Sequence, residues 1–240
     1  MAYQRVVLKT SGEMFSTPGQ LGIAPDALLP LAEQIAEVHR LGCKLAVVVG
    51  AGNLIRGKDL EALGFDRISA DQMGMIATVI NALGLGASLE SVCVPVRALS
   101  AVRIDGFVEA HDPHVAAEAF ESGDVVLLAG GTGNAFVTTD TAAALRAAEL
   151  GAEVLLKGTK VEGVYSADPD ACRDAKRYDR ITYAEVLERQ LGFMDGAAVA
   201  ICREHSIPIR VFSLKPLSNL LRAVRGEEIG TLVWSGADGS

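Results

Sequence analysis

Hydrophobic positions alternate along this chain between short solid runs and longer stretches with helical spacing. Arg5 to Lys9, Leu45 to Val49, Val92 to Val96, Val125 to Ala129, Val154 to Lys157, Ile209 to Phe212 and Thr231 to Trp234 read as buried strands. Between them lie predicted helices. Leu28, Leu31, Ile35 and Val38 recur at helical spacing in a helix that opens at Pro25-Asp26, reaches about His39 and ends at Gly42. A long helix is expected over Ser69 to Leu89, with Met73, Ile76, Ile80 and Leu83 on one face that suits core or interface equally. His111-Asp112-Pro113 starts another, with Asp112 as N-cap and Pro113 at the first helical position. An alanine-rich helix follows Asp140 to about Leu150, and others cover Tyr183 to Gln190, Asp195 to Glu204 and Leu217 to Arg225. Residues 14–22 and 171–180 read as loops. This alternation predicts an α/β fold, a three-layer αβα sandwich around a mainly parallel open sheet. No linker splits the chain, so one domain is expected over residues 1–240. A functional division near Gly151 would give lobes of about 1–150 and 151–234 flanking one cleft, with a flexible tail over 235–240.

Composition narrows the picture. Of 240 residues 50% are apolar but only 5% aromatic, so Ala, Val, Leu and Gly carry the packing, which suits helices laid closely on a sheet. The net charge of −8 and the lack of a lysine-rich patch argue against a nucleic-acid partner. Cys43, Cys93, Cys172 and Cys202 show no metal or disulfide spacing and read as reduced thiols, all but Cys172 in or beside buried elements. Strand-like residues begin at Arg5, so no signal peptide is expected, and no apolar run approaches the ~20 residues of a membrane span. A cytoplasmic protein without a membrane partner is therefore expected.

Candidate chemistry gathers where predicted strands end. Val125 to Ala129 breaks into Gly130, Gly131, Thr132, Gly133 and Asn134, then passes Thr138, Thr139 and Asp140 into a helix. Glycines admit a ligand close to backbone N–H groups, and a first helical turn leaves N–H groups unpaired, so this stretch reads as an anion site. Gly52-x-x-x-x-Gly57-Lys58-Asp59 nearly spells a P-loop, but Asp59 stands where a magnesium-binding hydroxyl belongs. It reads better as a glycine loop presenting N–H groups and Arg56 to phosphate, or else as a bare strand-to-helix turn. Phe136 occupies the third glycine position of a dinucleotide fingerprint, which disfavours a Rossmann dehydrogenase. Lys9 and Lys157 each end a strand, and if those strands are parallel neighbours the lysines and Arg56 converge on an anionic substrate. Taken singly, Lys9 could be a solvated charge, Asp140 an N-cap and Asp168 a turn former. Beside two glycine loops, acids that hold a lysine or Mg²⁺ are the better account of Asp71, Asp140, Asp168 and Asp195. His111 and His114 are explained by the helix start.

Five motifs then occur in order: Lys9 to Glu13, Gly50 to Gly57, Asp71 to Met75, Gly131 to Asn134 through Thr138-Thr139-Asp140, and Lys157 to Pro169. Together they resemble the bacterial uridylate kinases, a family of the amino-acid kinase fold, over essentially the whole chain except the tail. The resemblance implies phosphoryl transfer from ATP to UMP in pyrimidine nucleotide biosynthesis. It implies Mg²⁺ held mainly through the ATP phosphates, with no protein ligand directly assigned. Lys9, Arg56 and Asp140 would be catalytic, Asp140 orienting Lys9. Lys9, Thr10, Ser11, Gly12, Gly52 and Arg56 would meet the ATP phosphates. Thr159, Tyr165 and Asp168 would hold its base and ribose. Ala51 and Asp71 would lie on UMP, with Thr132, Gly133, Asn134, Ala135, Phe136, Val137, Thr138 and Thr139 cradling it. Asp195 matches a family aspartate near the nucleotide. Members are commonly homohexamers, activated by GTP and inhibited by UTP, and Thr17 to Gly22 matches a position linked to GTP. Three departures stand out: Thr10 replaces a common leucine, Ala51 a glycine, and Ala135-Phe136-Val137 a Pro-Phe-Phe pattern. Rival readings are a carbamate or amino-acid kinase of the same fold, and a storage or regulatory protein that binds nucleotide or oxoanion without turnover.

Overall fold

In the computed structural model, residues 2–55, 60, 62–169, 171, 172 and 174–236 are described. Among them nine strands form one sheet: β1 (Arg5–Thr10), β2 (Lys44–Val49), β3 (Val96–Ser100), β4 (Glu109–Ala110), β5 (Val125–Ala129), β6 (Val154–Thr159), β7 (Arg180–Thr182), β8 (Ile209–Ser213) and β9 (Thr231–Trp234). Their order is β4-β3-β5-β2-β1-β6-β8-β9-β7. Every pairing is parallel except β8 with β9. Helices bounded by described residues are α1 (Pro25–Arg40), α2 (Arg67–Ser91), α3 (Pro113–Ser122), α4 (Thr139–Glu149), α5 (Tyr183–Glu188), α6 (Gly196–Glu204) and α7 (Asn219–Val224).

Two apolar cores lie on opposite faces of the sheet. One joins α1, α2 and α7 to residues such as Val6, Leu8, Val47 and Leu127. The other joins α3, α4, α5 and α6 to Val7, Val48, Val126 and Leu155. Successive residues of each strand thus feed alternate layers, as a strand buried on both faces requires. This is the αβα sandwich expected from the sequence.

Local signals acted as read in α3, where the Asp112 carboxylate accepts from the N–H of His114 at 2.8 Å and of Val115 at 3.3 Å. They were misleading around the third strand. That strand begins at Val96, not Val92, because α2 runs on to Ser91 and Cys93 turns the chain with a φ of 60°. Cys93 is exposed, contrary to its expected place beside a buried element. Cys43 and Cys202 are buried, and burial pushes both thiols up to about 12, so they stay protonated. The expected loop after Lys9 contains a short 3₁₀ turn, Gly12–Phe15, and β4 and β7 were not expected.

The long helix adds two details to the sequence reading. By length and composition α2 is apolar enough to cross a membrane, although no continuous apolar run announces it. Here it packs on the sheet and on α1. Three of its large residues do not face the core: Ile76, Ile80 and Leu83 are 48%, 49% and 41% exposed. The buried face carries Ala70, Ala77, Ala82, Leu85, Gly86 and Leu89. Small side chains at Ala70, Ala77, Ala82 and Gly86 sit on this face beside Val79, Leu85 and Leu89.

Candidate active site

β1 and β6 are parallel neighbours with Lys9 in register with Lys157. Residues in register on parallel strands point to one face, so both ammonium groups rise on the same side. The crossover from β5 brings α4 over that face. Thr138 is the N-cap of α4, its hydroxyl accepting from the N–H of Asp140 at 3.0 Å and of Thr141 at 3.3 Å. Asp140 is therefore released from capping and aims its carboxylate at the lysines. Its Oδ1 lies 2.9 Å from Lys9 Nζ and its Oδ2 2.5 Å from Lys157 Nζ. The three side chains are only 13%, 13% and 8% exposed for Asp140, Lys9 and Lys157. Burial pushes the Asp140 carboxyl up, but Lys9 and Lys157 together outweigh it and hold it below its ordinary value. Burial pushes the Lys157 ammonium down, and the facing Asp140 restores only part of that. The centre is thus two cations on one anion, with net positive charge ready for a polyanion.

Asp195 stands behind this centre. It caps α6 by accepting from Ala198 N at 3.0 Å, and it also accepts from the hydroxyls of Thr138 and Thr141, at 2.5 and 2.7 Å. It ties α6 to the first turn of α4 and so fixes the reach of Asp140.

Two glycine loops border the centre. After β2, no residue from Gly50 to Leu54 has a positive φ, so Ala51 in place of glycine brings no backbone strain. Here glycine serves close approach. A Cβ on Gly12 would come within 2.5 Å of Gly52 N and of Asn53 Oδ1. Ser11 caps the 3₁₀ turn through Glu13 N, and the buried Thr10 hydroxyl points to Val48 O, away from solvent. After β5, Gly130, Gly131 and Gly133 take φ of 74°, 58° and 79°, left-handed conformations that glycine alone adopts freely. Gly133 N closes that turn on Gly130 O at 3.0 Å, and Asn134 N bonds Thr132 Oγ1 at 3.3 Å.

A cleft of about 160 Å³ lies between these loops and α2, bordered by Ala51, Gly52, Asp71, Gly131, Asn134, Val137 and Thr139. Half of the expected acceptor residues meet there: Ala51, Asp71, Asn134, Val137 and Thr139. Two do not act as expected. The Thr138 hydroxyl is consumed by the helix cap and Asp195, so it is not left to read an acceptor. Phe136 is exposed at φ 67°, its N–H bonded to Asp71 Oδ2 at 2.7 Å and its ring 5.8 Å from the Arg67 guanidinium. Arg67 Nε also binds Asp71, at 2.9 Å. Thr132, Gly133 and Ala135 stand beside the cleft rather than on its wall.

A second cleft, of about 540 Å³, opens beyond the end of β6. Tyr165 and Asp168 both line it, together with Val161, Leu191 and Phe193. Thr159 stays outside it and donates to Val161 O at 2.6 Å. Arg56, assigned from the sequence to the phosphates, lies outside the described residues.

Sequence reasoning left several contributors unassigned. Lys157 was noted as a converging cation, but its bond to Asp140 needed the register. Leu191 and Phe193 follow a short helix with no motif of their own. Thr78 and Asn81 are polar residues inside the apolar α2, and that contrast was the available signal.

The model of the amino acid kinase family matches residues 4–213. A uridylate kinase of Legionella pneumophila (strain Corby) is 46% identical over 238 residues, covering 99% of this chain and 97% of the relative. The crystal structure of a UMP kinase from Bacillus anthracis superposes with a TM-score of 0.94 at 31% identity, covering 99% of this chain and 98% of that one. A UMP kinase from Ureaplasma parvum gives 0.91 at 34% identity, covering 98% and 100%. This chain belongs to the amino acid kinase family, with bacterial uridylate kinases as its relatives.

Proposed function

We propose that this protein transfers the γ-phosphoryl group of ATP to UMP, giving ADP and UDP. The observation that carries the reading is the Lys9–Asp140–Lys157 cluster set between two clefts. Near-full-length similarity to uridylate kinases supports the choice of acceptor.

Phosphoryl transfer asks for two reactants in line and for charge neutralised on the moving group. In this reading the cleft beyond β6 takes the ATP base and ribose through Tyr165 and Asp168, and the cleft beside α2 takes UMP. The residues 151–234 then act as the donor lobe and 1–150 as the acceptor lobe of one domain. A UMP phosphate oxygen attacks the γ-phosphorus, and the bond to the β–γ bridging oxygen breaks. Lys9 and Lys157 neutralise the transferred group, while backbone N–H groups of Gly12 and Gly52 face the phosphates. Asp140 holds both lysines and takes no proton, since they keep its carboxyl ionised. Asp71 serves the UMP ribose once it exchanges its bond with Phe136 N for the sugar hydroxyls.

Both oxygens of Asp140 are engaged by lysines, which fits Mg²⁺ carried mainly by the ATP phosphates rather than by a protein cage. When bound, that ion supplies further charge neutralisation on the phosphates. The half-exposed stripe Ile68, Ile76, Ile80 and Leu83 of α2 supports a homo-oligomer, read as the hexamer of the family, and sedimentation would check it. Ser16, Pro18, Gly19, Gln20 and Leu21 wall a cleft of about 350 Å³ with Glu13 and Lys160, which supports GTP activation there, while UTP inhibition rests on the resemblance to the family alone. The proposed place of work is the cytoplasm, in pyrimidine nucleotide biosynthesis.

The test is ADP release with UMP, CMP, carbamate or acetylglutamate as acceptor, with and without GTP. Turnover greatest with UMP is expected. Turnover with carbamate or acetylglutamate alone, or ATP binding without turnover, would replace this reading with one of its rivals.

A further inference from the structure

The loop after β2 is held by a buried device that the reaction scheme above does not use. Asn53, in the loop, and Asn81, in the middle of α2, are 1% and 0% exposed. Their side-chain amides face each other reciprocally. Asn81 Nδ2 donates to Asn53 Oδ1 at 2.7 Å, and Asn53 Nδ2 donates to Asn81 Oδ1 at 3.0 Å. The second N–H of each amide goes to backbone: Asn81 to Gly50 O at 2.8 Å, and Asn53 to Gly22 O at 2.9 Å. Gly22 N returns a bond to Asn53 O at 2.8 Å. All four amide N–H groups are satisfied. Turning either amide over would set N–H against N–H, so the arrangement has one self-consistent orientation.

Two buried amides in an apolar helix face are costly to place unless every group is paired, as here. A leucine pair would fill much the same space but would leave the carbonyls of Gly50 and Gly22 without these donors. What the amides add is direction. They bind the carbonyl of Gly50 through Asn81 and hold Asn53, the residue directly after Gly52, on either side of the stretch that the proposed function turns towards phosphate. They also press Asn53 Oδ1 against Gly12, where only glycine fits. The loop is thereby locked at both ends to α2 and to the neck of the segment ending at Gly22.

We infer that Asn81 and Asn53 are positioning residues that set the phosphate-facing geometry of the Gly50–Asn53 loop. This rests on the kinase reading only for the word phosphate; the locking itself is independent of the acceptor. A misplacement of about 1 Å at such a loop costs on the order of a hundredfold in rate.

The test compares Asn81→Leu and the double variant Asn53→Leu/Asn81→Leu with the wild type, by UMP kinase kinetics, thermal melting and amide exchange. Leu54 N and Ile55 N, both bonded to Ala51 O at 2.9 and 3.0 Å, are the exchange reporters. The expected result for both variants is a kcat lowered about a hundredfold with a smaller change in KM. Exchange at Leu54 and Ile55 should quicken while β2 stays protected. The double variant should melt above the single one, because no amide is left facing an apolar partner, yet stay slow. Recovery of kcat together with stability in the double variant, or unchanged exchange at Leu54 and Ile55, would reduce the pair to a packing feature. A wild type without UMP turnover would remove the kinase reading, and the exchange comparison alone would then decide the positioning claim.

Discussion

The two glycine loops of the cleft beside α2 look alike in sequence and differ in how they are built. Each follows a buried parallel strand, and each is tied to α2. The loop after β2 keeps ordinary backbone angles and uses glycine to let two backbones touch. The loop after β5 winds through three left-handed glycines, and Thr78 Oγ1 holds it by accepting from Gly130 N at 2.7 Å. The first loop is fixed by close approach alone, whereas the second adds three left-handed residues to a close approach at Gly130, where an added Cβ would come 2.7 Å from Val102 N. Glycine-rich segments therefore cannot be read as one kind of object. Their substitutions should fail for different reasons and by different amounts.

The largest effect is expected at Gly12. Gly12→Ala drives a Cβ into the backbone of residues 51 and 52, at 2.7 Å from Ala51 C and 2.5 Å from Gly52 N, and nothing flexible can yield. It should lower kcat/KM at least about a hundredfold by displacing the loop. At Gly131 the nearest atom to an added Cβ is Met75 Cγ at 3.9 Å, so only the backbone conformation resists. Gly131→Ala should cost about 1–2 kcal/mol of stability in a urea titration. Equal damage at the two positions would erase the distinction between the loops.

Next comes Asp140, the tie between the acceptor side and the two lysines. Asp140→Asn leaves two buried ammonium groups without their counter-charge, and breaking such a cluster typically costs about 3–5 kcal/mol. Loss of turnover with loss of stability is expected, measured by ADP release and thermal melting. The pH dependence follows in sign. The Asp140 carboxyl is held below its ordinary value, so its stabilisation is present above that value and fades as pH falls through the folded one. Lys157 is shifted down from 10.5, so it loses its proton earlier on the alkaline side than a free lysine. The alkaline fall of kcat should therefore begin below that value, and a fall only above it would contradict the assigned role.

A smaller effect is expected at Thr78. Thr78→Val keeps the shape and removes the acceptor for Gly130 N, a buried donor, at a cost of about 1–3 kcal/mol. The KM for UMP should rise more than kcat falls. If kcat for the variant collapsed as in Gly12→Ala, the β5 loop would be as rigidly coupled to chemistry as the β2 loop.

Much of this was legible in the chain. Solid apolar runs located β5 and β9 to the residue, and Asp112-Pro113 marked the start of α3. Lys9 pairs with Asp140, and Tyr165 and Asp168 line one cleft. What was hidden depends on register and on facing surfaces. Lys157 meets Asp140 because β1 pairs with β6, a fact carried by no local pattern. Periodicity left the Ile76, Ile80 and Leu83 face of α2 open between core and interface, and packing on the sheet put Ala77, Ala82, Leu85 and Leu89 inside instead. Thr138 and Thr139 looked equivalent beside Asp140, yet only one can be the N-cap, and capping removed Thr138 from the acceptor.

The central claim is that Lys9 neutralises the transferred phosphoryl group while Asp140 and Lys157 hold the rest of the centre. The most direct measurement is kcat for ATP and UMP in Lys9→Met, with the melting temperature recorded alongside. Asp140 keeps Lys157 as a partner in that variant, so the fold should survive with its melting temperature nearly unchanged. The account predicts a kcat lowered about a hundredfold or more, the loss typical of one removed transition-state donor. Near-full turnover in a folded Lys9→Met enzyme would contradict it.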